Sequence, residues 1–149
     1  MFKGLNVKVI FLQNIITDLL LGYEVKDIFY AYCEYIRKKY KILPGLITQN
    51  MPRLKDKLEG WGIEEVVICS SFNKIGYLMS PNIESYIKAA NNNNSSKYQL
   101  MAMSTLGSGS IPPQEAFEFI NKQNIQSIVF GASSKNHIEQ TVRLLTASK

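Results

Sequence analysis

Residues 98–140 read YQLMAMSTLGSGSIPPQEAFEFINKQNIQSIVFGASSKNHIEQ, and the arrangement of this segment indicates the fold. It contains two short apolar runs, at residues 98–103 and 127–130, and each is followed by a loop of small, hydroxyl-rich residues. Each loop leads into a segment with helical periodicity, at residues 114–121 and 135–147. The pattern predicts two βα units in succession.

The same two loops are candidate anion sites. Backbone N–H groups are unpaired at a helix N-terminus, and the helix dipole favours an anion there. Two such loops in succession are expected at the phosphate-binding corner of a (β/α) barrel. Small residues are also good turn formers and helix caps, so the composition of the loops leaves a purely structural interpretation open.

The alternation of strand and helix extends upstream through the rest of the chain. Runs rich in β-branched and aromatic residues predict strands, and apolar residues repeated at three and four positions predict helices. The predicted strands are residues 6–12, 42–48 and 65–69, and the predicted helices are 24–40, 51–60 (with Gly60 as the stop) and 82–90 (capped by Ser80 and Pro81). The apolar segment 15–21 is ambiguous. Five strands alternating with five helices predict a βα ladder with a parallel sheet.

We therefore expect an α/β fold that forms one domain over residues 1–149, as a partial TIM (β/α) barrel of about five parallel βα units. A complete (β/α)8 barrel typically needs about 250 residues, more than the 149 of this chain. An open, doubly wound α/β sheet is the alternative. Five units leave two open sheet edges, which a second copy (a homodimer) or a separate N-terminal half would cover.

Composition excludes several classes of function. The net charge of +5 owes much to Arg37, Lys38 and Lys39, which lie at a predicted helix end, where cations offset the dipole. No basic face with groove-reading elements is visible, so we expect no nucleic-acid partner. Segment 15–21 is far shorter than the ~20 apolar residues that span a bilayer, so we expect no membrane partner.

The cysteine and histidine content indicates a reducing compartment and no metal. Cys33 and Cys69 lie in apolar surroundings with no CxxC or Cys/His spacing, as reduced thiols of a cytoplasmic protein do. The chain has one histidine, His137, and no ligand cluster surrounds it in the sequence.

In this order, the segments resemble the C-terminal half of an aldo-keto reductase barrel, from strand four to strand eight. The resemblance covers nearly the whole chain and is carried by the order and spacing of short segments that follow strands. These are GLITQN at residues 45–50, CSSFN at 69–73, AMSTLGSG at 102–109, and GASS at 131–134 followed by IEQT at 138–141.

The resemblance implies a site for NADP(H), with a small-molecule or phosphate ligand. It places Thr48 and Asn50 near the carboxamide and the ring of Phe72 against the nicotinamide. The remaining implied contacts are Ser104, Leu106 and Gly107 at the pyrophosphate, and Ser133, Ser134 and Lys135 at the adenosine 2′-phosphate.

The chain departs from the family pattern at important positions. Cys69 stands where the family has a Gln that bonds the carboxamide, and Ser133 stands where it has an Arg for the 2′-phosphate. Gln13 stands in place of a His and cannot act as a general acid or base. The family's Asp, Tyr and Lys lie on strands that this chain does not contain. We therefore expect an oxidoreductase-like barrel half with a degraded NADP(H) site, no catalytic residues and no activity alone.

Two other functions stay open on the sequence. The chain could be a barrel enzyme or binding module for a phosphorylated small molecule, with Lys74 as the nearest candidate base. It could also be a non-catalytic half that acts with a partner chain. Tyr23, Tyr77 and Tyr98 are expected to pack, because no Lys accompanies them in a strand context.

Overall fold

The structure is a computed structural model that describes residues 4–146. It is an α/β fold whose five strands are all parallel and pair in chain order, which confirms the predicted fold class. The elements are β1 (Val9–Leu12), α1 (Asn14–Gly22), α2 (Lys26–Tyr40), β2 (Leu43–Thr48), α3 (Met51–Trp61), β3 (Val66–Ser71), α4 (Ile83–Asn91), β4 (Tyr98–Met103), a short 3-10 helix (Gly107–Gly109), α5 (Pro113–Asn121), β5 (Ser127–Ile128) and α6 (Lys135–Thr146).

The strand order distinguishes two ways of winding such a sheet. A doubly wound sheet reverses its strand order and carries helices on both faces. Here the order is β1-β2-β3-β4-β5, without a reversal within residues 4–146. Crossover connections between parallel strands share one handedness. When each connection leads to the next strand on the same side, all the helices lie on one face of the sheet, as in the wall of a barrel. The sheet is therefore singly wound, and it is consistent with a partial barrel or with an open sheet.

The core lies between the helices and one face of this sheet. The parallel register sets Leu12, Leu46, Ile68 and Leu100 in one row across four strands. This row belongs to the hydrophobic core. Each of the first five helices packs a side chain against the same core, through Leu21, Phe29, Leu54, Tyr86 and Phe119.

The opposite face of the sheet, here called the inner face, carries the alternate residues of each strand. One of its rows is Ile47, Cys69 and Met101. Cys69 is only 3 % exposed, yet it is not part of the helix-side core. On the same face, a Cβ at Gly45 would lie 2.4 Å from the Phe11 ring, so the absence of a side chain at Gly45 makes room for that ring. Around Gly45 the inner face is thus closely packed, whereas Ile47 and Met101 on the same face are only partly buried.

Most predicted boundaries agree with the structure to within a few residues, and the differences have local causes. The ambiguous segment 15–21 forms α1, so the structure describes six α-helices, two of them between β1 and β2. Gly60 is wrong as the stop of α3, because the left-handed residue that ends the helix is Gly62, with φ of 69°. The cap of α4 is Asn82, whose side chain accepts a hydrogen bond from the backbone N–H of Ser85, in place of Ser80 and Pro81.

Two predicted segments at the C-terminal end differ from the structure or extend beyond its described residues. The strand predicted for residues 127–130 is only two residues long, Ser127–Ile128. The end predicted for the last helix, at Ala147, lies outside the described residues. Over residues 4–146, none of the helices combines the length and apolar character needed to cross a bilayer.

Candidate functional site

A cleft of about 680 Å³ lies at the carboxyl edge of the sheet, within the usual size range of small-molecule sites. Three successive strand-to-helix loops form its walls. The lining residues are Tyr77 and Leu78 after β3, Met103 to Leu106 with Ser108 and Gly109 after β4, and Val129 to Gly131 after β5. The carboxyl edge is also where (β/α) barrels place their functional residues.

Three backbone amides in the loop after β4 are unpaired within the part of the chain that the structure describes. The loop is tightly folded by its own hydrogen bonds, such as that from the Gly107 N–H to the Ser104 carbonyl at 3.0 Å. By contrast, the amides of Thr105, Leu106 and Ser108 have no hydrogen-bond partner among residues 4–146. All three residues line the cleft. Consecutive unpaired amides in such a turn form a concave site for an anion.

Backbone strain marks the same loop. Ser104 and Ser108 adopt φ angles of 53° and 59°, in the left-handed region that few residues other than glycine occupy. Both serines line the cleft. Strained residues of this kind persist where the surrounding structure holds them, and they are concentrated at ligand sites.

The N-terminus of α5 contributes less to an anion site than the sequence indicated. Pro112 and Pro113 begin the helix and have no N–H group to donate. Glu115 lies in its first turn, where its carboxylate already offsets the dipole, and it forms an ion pair with Lys74. The amides of the loop, and not those of the helix, are therefore the available donors. The ion pair also engages Lys74, the candidate base.

The loop after β5 carries the second predicted anion contact. Ser133, Ser134 and Lys135 lie together where α6 begins, two to four residues beyond Gly131, which lines the cleft. Ser134 accepts a hydrogen bond from the backbone N–H of His137 at 3.3 Å. No acidic residue occupies the first turn of α6, so its positive end is not neutralised there. Lys135 is 87 % exposed and only 3.6 Å from Glu139.

Thr48 and Asn50 are predicted at the carboxamide, but the structure uses both in holding the fold together. Thr48 is fully buried on the helix side of the sheet, where its hydroxyl donates to Asp18. The Asn50 side chain caps α3 by accepting from the Arg53 N–H at 3.2 Å. Neither residue lines the cleft.

Phe72, predicted as the stacking ring, lies in the core and does not line the cleft. It is 2 % exposed, and its ring packs in the core against Tyr86 and Phe119 at centroid distances of 5.8 and 6.0 Å. No face of the ring is free to receive a ligand.

The predicted pyrophosphate contacts divide between the cleft and its support. Ser104 and Leu106 line the cleft. Gly107 is buried beneath Ile75, whose side chain would lie 2.8 Å from a Cβ at that position. Gly107 therefore allows a close approach between two loops.

Tyr77 is the residue that the sequence interpretation missed. It was expected to pack, and instead it lines the cleft with 40 % of its surface exposed. The sequence feature that could have identified Tyr77 is Gly76. A glycine at this position indicates a turn, which places Tyr77 in a loop and not in a helix or strand.

The cleft lining is poor in ionisable side chains. Tyr77 is the only titratable side chain among the lining residues. On the inner face, burial raises the pKa of the Cys69 thiol to about 11, so it is not a nucleophile at neutral pH. Among the described residues, no group of three or more His, Cys, Asp and Glu could hold a metal ion.

No protein-family model, curated protein or solved structure gives a significant match to this chain.

Proposed function

We propose that this chain is a partial-barrel binding module whose cleft takes a phosphorylated small molecule. The observation that carries the proposal is the set of three unpaired amides, at Thr105, Leu106 and Ser108, on cleft-lining residues. Phosphate oxygens accept several hydrogen bonds at once, which suits backbone amides gathered in a tight loop.

A dinucleotide of the NADP(H) type is the specific ligand that the aldo-keto reductase resemblance suggests. Its support is the position of Ser104 and Leu106 in the cleft, with Lys135 at the start of α6 as a cation for a second phosphate. The contacts expected for the nicotinamide, Thr48 and Phe72, are engaged elsewhere in the fold. The proposed role is therefore ligand binding, with no catalytic acid of its own.

The test is a titration with NADPH, NADH, ribose 5-phosphate and inorganic phosphate. Binding is measured by calorimetry and, for the two reduced cofactors, by their fluorescence. We expect NADPH to bind more tightly than NADH. Binding of the simple phosphates without any preference for a dinucleotide would replace NADP(H) by a smaller phosphorylated ligand. No binding of any of the four at millimolar concentration would end the proposal.

A matched pair of lysine variants tests the second anion contact. Lys135→Gln should weaken NADPH binding by about fivefold and leave NADH unchanged, because an exposed charge contact contributes about 1 kcal/mol or less. Lys122→Gln removes an exposed cation just beyond the C-terminal end of α5 and should change neither affinity. Equal effects of the two variants would mean that Lys135 acts only through net charge.

A second candidate function is supported by the edges of the sheet. β1 and β5 each pair on one side only in the described residues. Exposed apolar side chains occur on α1, which follows β1 (Ile15, Ile16 and Leu19), and on α6, which follows β5 (Ile138 and Val142).

We propose that a second copy of the chain covers these edges. Because all strands are parallel, a twofold axis along them would bring β5 of each copy beside β1 of the other. Light scattering during size-exclusion chromatography should show a dimer. A well-folded monomer at high micromolar concentration would contradict the assembly and would leave the ligand proposal untouched.

A further inference from the structure

Tyr77 has an unusual position for a tyrosine on a loop. It forms one wall of the cleft together with Leu78, whose φ of 54° lies in the left-handed region. The Tyr77 phenol has no hydrogen-bond partner among residues 4–146. Its ring is thus presented to the cleft without being held there by its own hydroxyl group.

The backbone of Tyr77 is fixed by a single buried side chain. The Asn73 carboxamide accepts a hydrogen bond from the Tyr77 N–H at 2.9 Å and donates one to the Tyr77 carbonyl, also at 2.9 Å. The same amide group donates to the Ser104 carbonyl at 3.3 Å, and Asn73 is fully buried. Asn73 therefore connects Tyr77 to the loop that carries the unpaired amides. Because the backbone of Tyr77 is already held in place, little conformational entropy is lost when a ligand contacts this residue.

The rest of the cleft is apolar beside those amides. Leu106, Val129 and Phe130 line it together with Tyr77, and no charged side chain is among the lining residues. The space beside those amides suits a flat, weakly polar group that is attached to a phosphate. An aromatic face is the surface on which such a group stacks.

The geometry points to Tyr77 as the stacking residue for a nucleotide, and this inference rests on the proposed phosphate site. The planar heterocycle lies on the Tyr77 ring, and the phosphate accepts hydrogen bonds from the amides of Thr105, Leu106 and Ser108. Tyr77 thereby takes the role predicted for Phe72. The ligand class is a heterocycle joined through a sugar to phosphate, rather than a sugar phosphate alone.

The experiment compares two probes, NADPH and ribose 5-phosphate, on the wild-type chain and three variants. Tyr77→Ala should weaken NADPH binding by about tenfold, the size expected for one aromatic stacking contact. It should leave the affinity for ribose 5-phosphate, which has no heterocycle, unchanged. Tyr77→Phe should bind NADPH within about twofold of wild type, because stacking does not need the hydroxyl group. Tyr30→Ala removes a tyrosine 55 % exposed on α2 and should have no effect on either probe.

Each alternative outcome has a defined meaning. Equal NADPH affinity for wild type and Tyr77→Ala overturns the stacking role. A Tyr77→Phe variant that binds NADPH as weakly as Tyr77→Ala also overturns it, because that result would indicate a contact by the hydroxyl group. A Tyr77→Ala variant that loses affinity for ribose 5-phosphate as much as for NADPH overturns it as well, because that result would indicate a role in shaping the loop. If the wild type binds ribose 5-phosphate and not NADPH, the phosphate site stands and this inference falls. If it binds neither probe, both fall. Fluorescence of Trp61, which packs against Phe29 away from the cleft, verifies that each variant is folded.

Discussion

The hydroxyl group of Thr48 donates a hydrogen bond of 2.5 Å to Oδ1 of Asp18. The other oxygen of this carboxylate accepts from the Gln49 N–H at 3.0 Å, and Thr48 Oγ1 in turn accepts from the Asn50 N–H at 2.9 Å. Together these bonds join α1 to the carboxyl end of β2. They fix the place of α1, a segment of ambiguous sequence, on the sheet.

Replacing Thr48 by valine should therefore destabilise the fold. Thr48→Val keeps the shape of the side chain and removes a donor to Asp18 and an acceptor for Asn50. We expect a loss of about 1–3 kcal/mol in the free energy of unfolding, the cost of leaving buried polar groups unpaired. Urea denaturation followed by Trp61 fluorescence measures it. Thr141→Val on α6 is the control and should change stability by less than about 0.5 kcal/mol. Equal stabilities of the two variants would refute the role of the Asp18 contact.

Two glycine substitutions should have opposite signs. A Cβ at Gly45 would meet the Phe11 ring at 2.4 Å and Val9 Cγ1 at 2.7 Å, so Gly45→Ala should cost about 1–3 kcal/mol through overpacking. Gly60 lies inside α3 with nothing within 4 Å of an added Cβ, so Gly60→Ala should stabilise by about 0.5–1 kcal/mol. Thermal denaturation compares them. Adding Phe11→Leu to Gly45→Ala should restore part of the loss, and a neutral Gly45→Ala would show that the inner face is not closely packed.

The cap of α3 offers a test that separates stability from binding. Asn50→Ala should destabilise the chain by about 1 kcal/mol, since it removes the acceptor for the Arg53 N–H. Asn50→Asp should retain most of the stability because aspartate caps equally well. Neither change should alter NADPH affinity, because Asn50 does not line the cleft. An affinity that falls in Asn50→Asp while stability is retained would instead support the carboxamide contact that the family resemblance implies.

The two cysteines should make stability sensitive to alkaline pH. Burial raises the pKa of Cys33 and of Cys69 from the ordinary value of 9.0 to about 11. The folded state thus favours the neutral thiols. This contribution to stability is fully present below pH 9, and it is lost as the pH rises from about 9 to 11 and the unfolded chain ionises first.

Unfolding free energies measured from pH 7 to pH 11 test this expectation. The decline should be shallower in a Cys33→Ala, Cys69→Ala double variant, whatever its stability at pH 7. Reaction with a thiol-specific reagent gives an independent check: both thiols should react slowly at pH 8 in the folded chain and rapidly in urea. Fast labelling of either thiol under native conditions would contradict its burial.

The regular elements could be predicted because their causes are local. The apolar run of β4 and the three- and four-residue spacing in α2 are properties of adjacent residues, and both elements are where the pattern placed them. Segment 15–21 was the exception. Its helix is fixed by the contact between Asp18 and Thr48, 30 residues apart in the chain, which no local pattern contains.

The sequence alone thus determined that strands and helices alternate and that small-residue loops follow β4 and β5. Only the tertiary structure decided which side chains reach the cleft. Successive residues of a strand point to opposite faces, so the pairing register, and not the residue type, assigns a side chain to one face. In this register Thr48 lies on the helix side, and Phe72 packs in the same core, although both resemble ligand contacts. The buried Asn73 carboxamide, by contrast, binds Tyr77 within its own loop and donates to the Ser104 carbonyl, a contact that forms only when two loops meet.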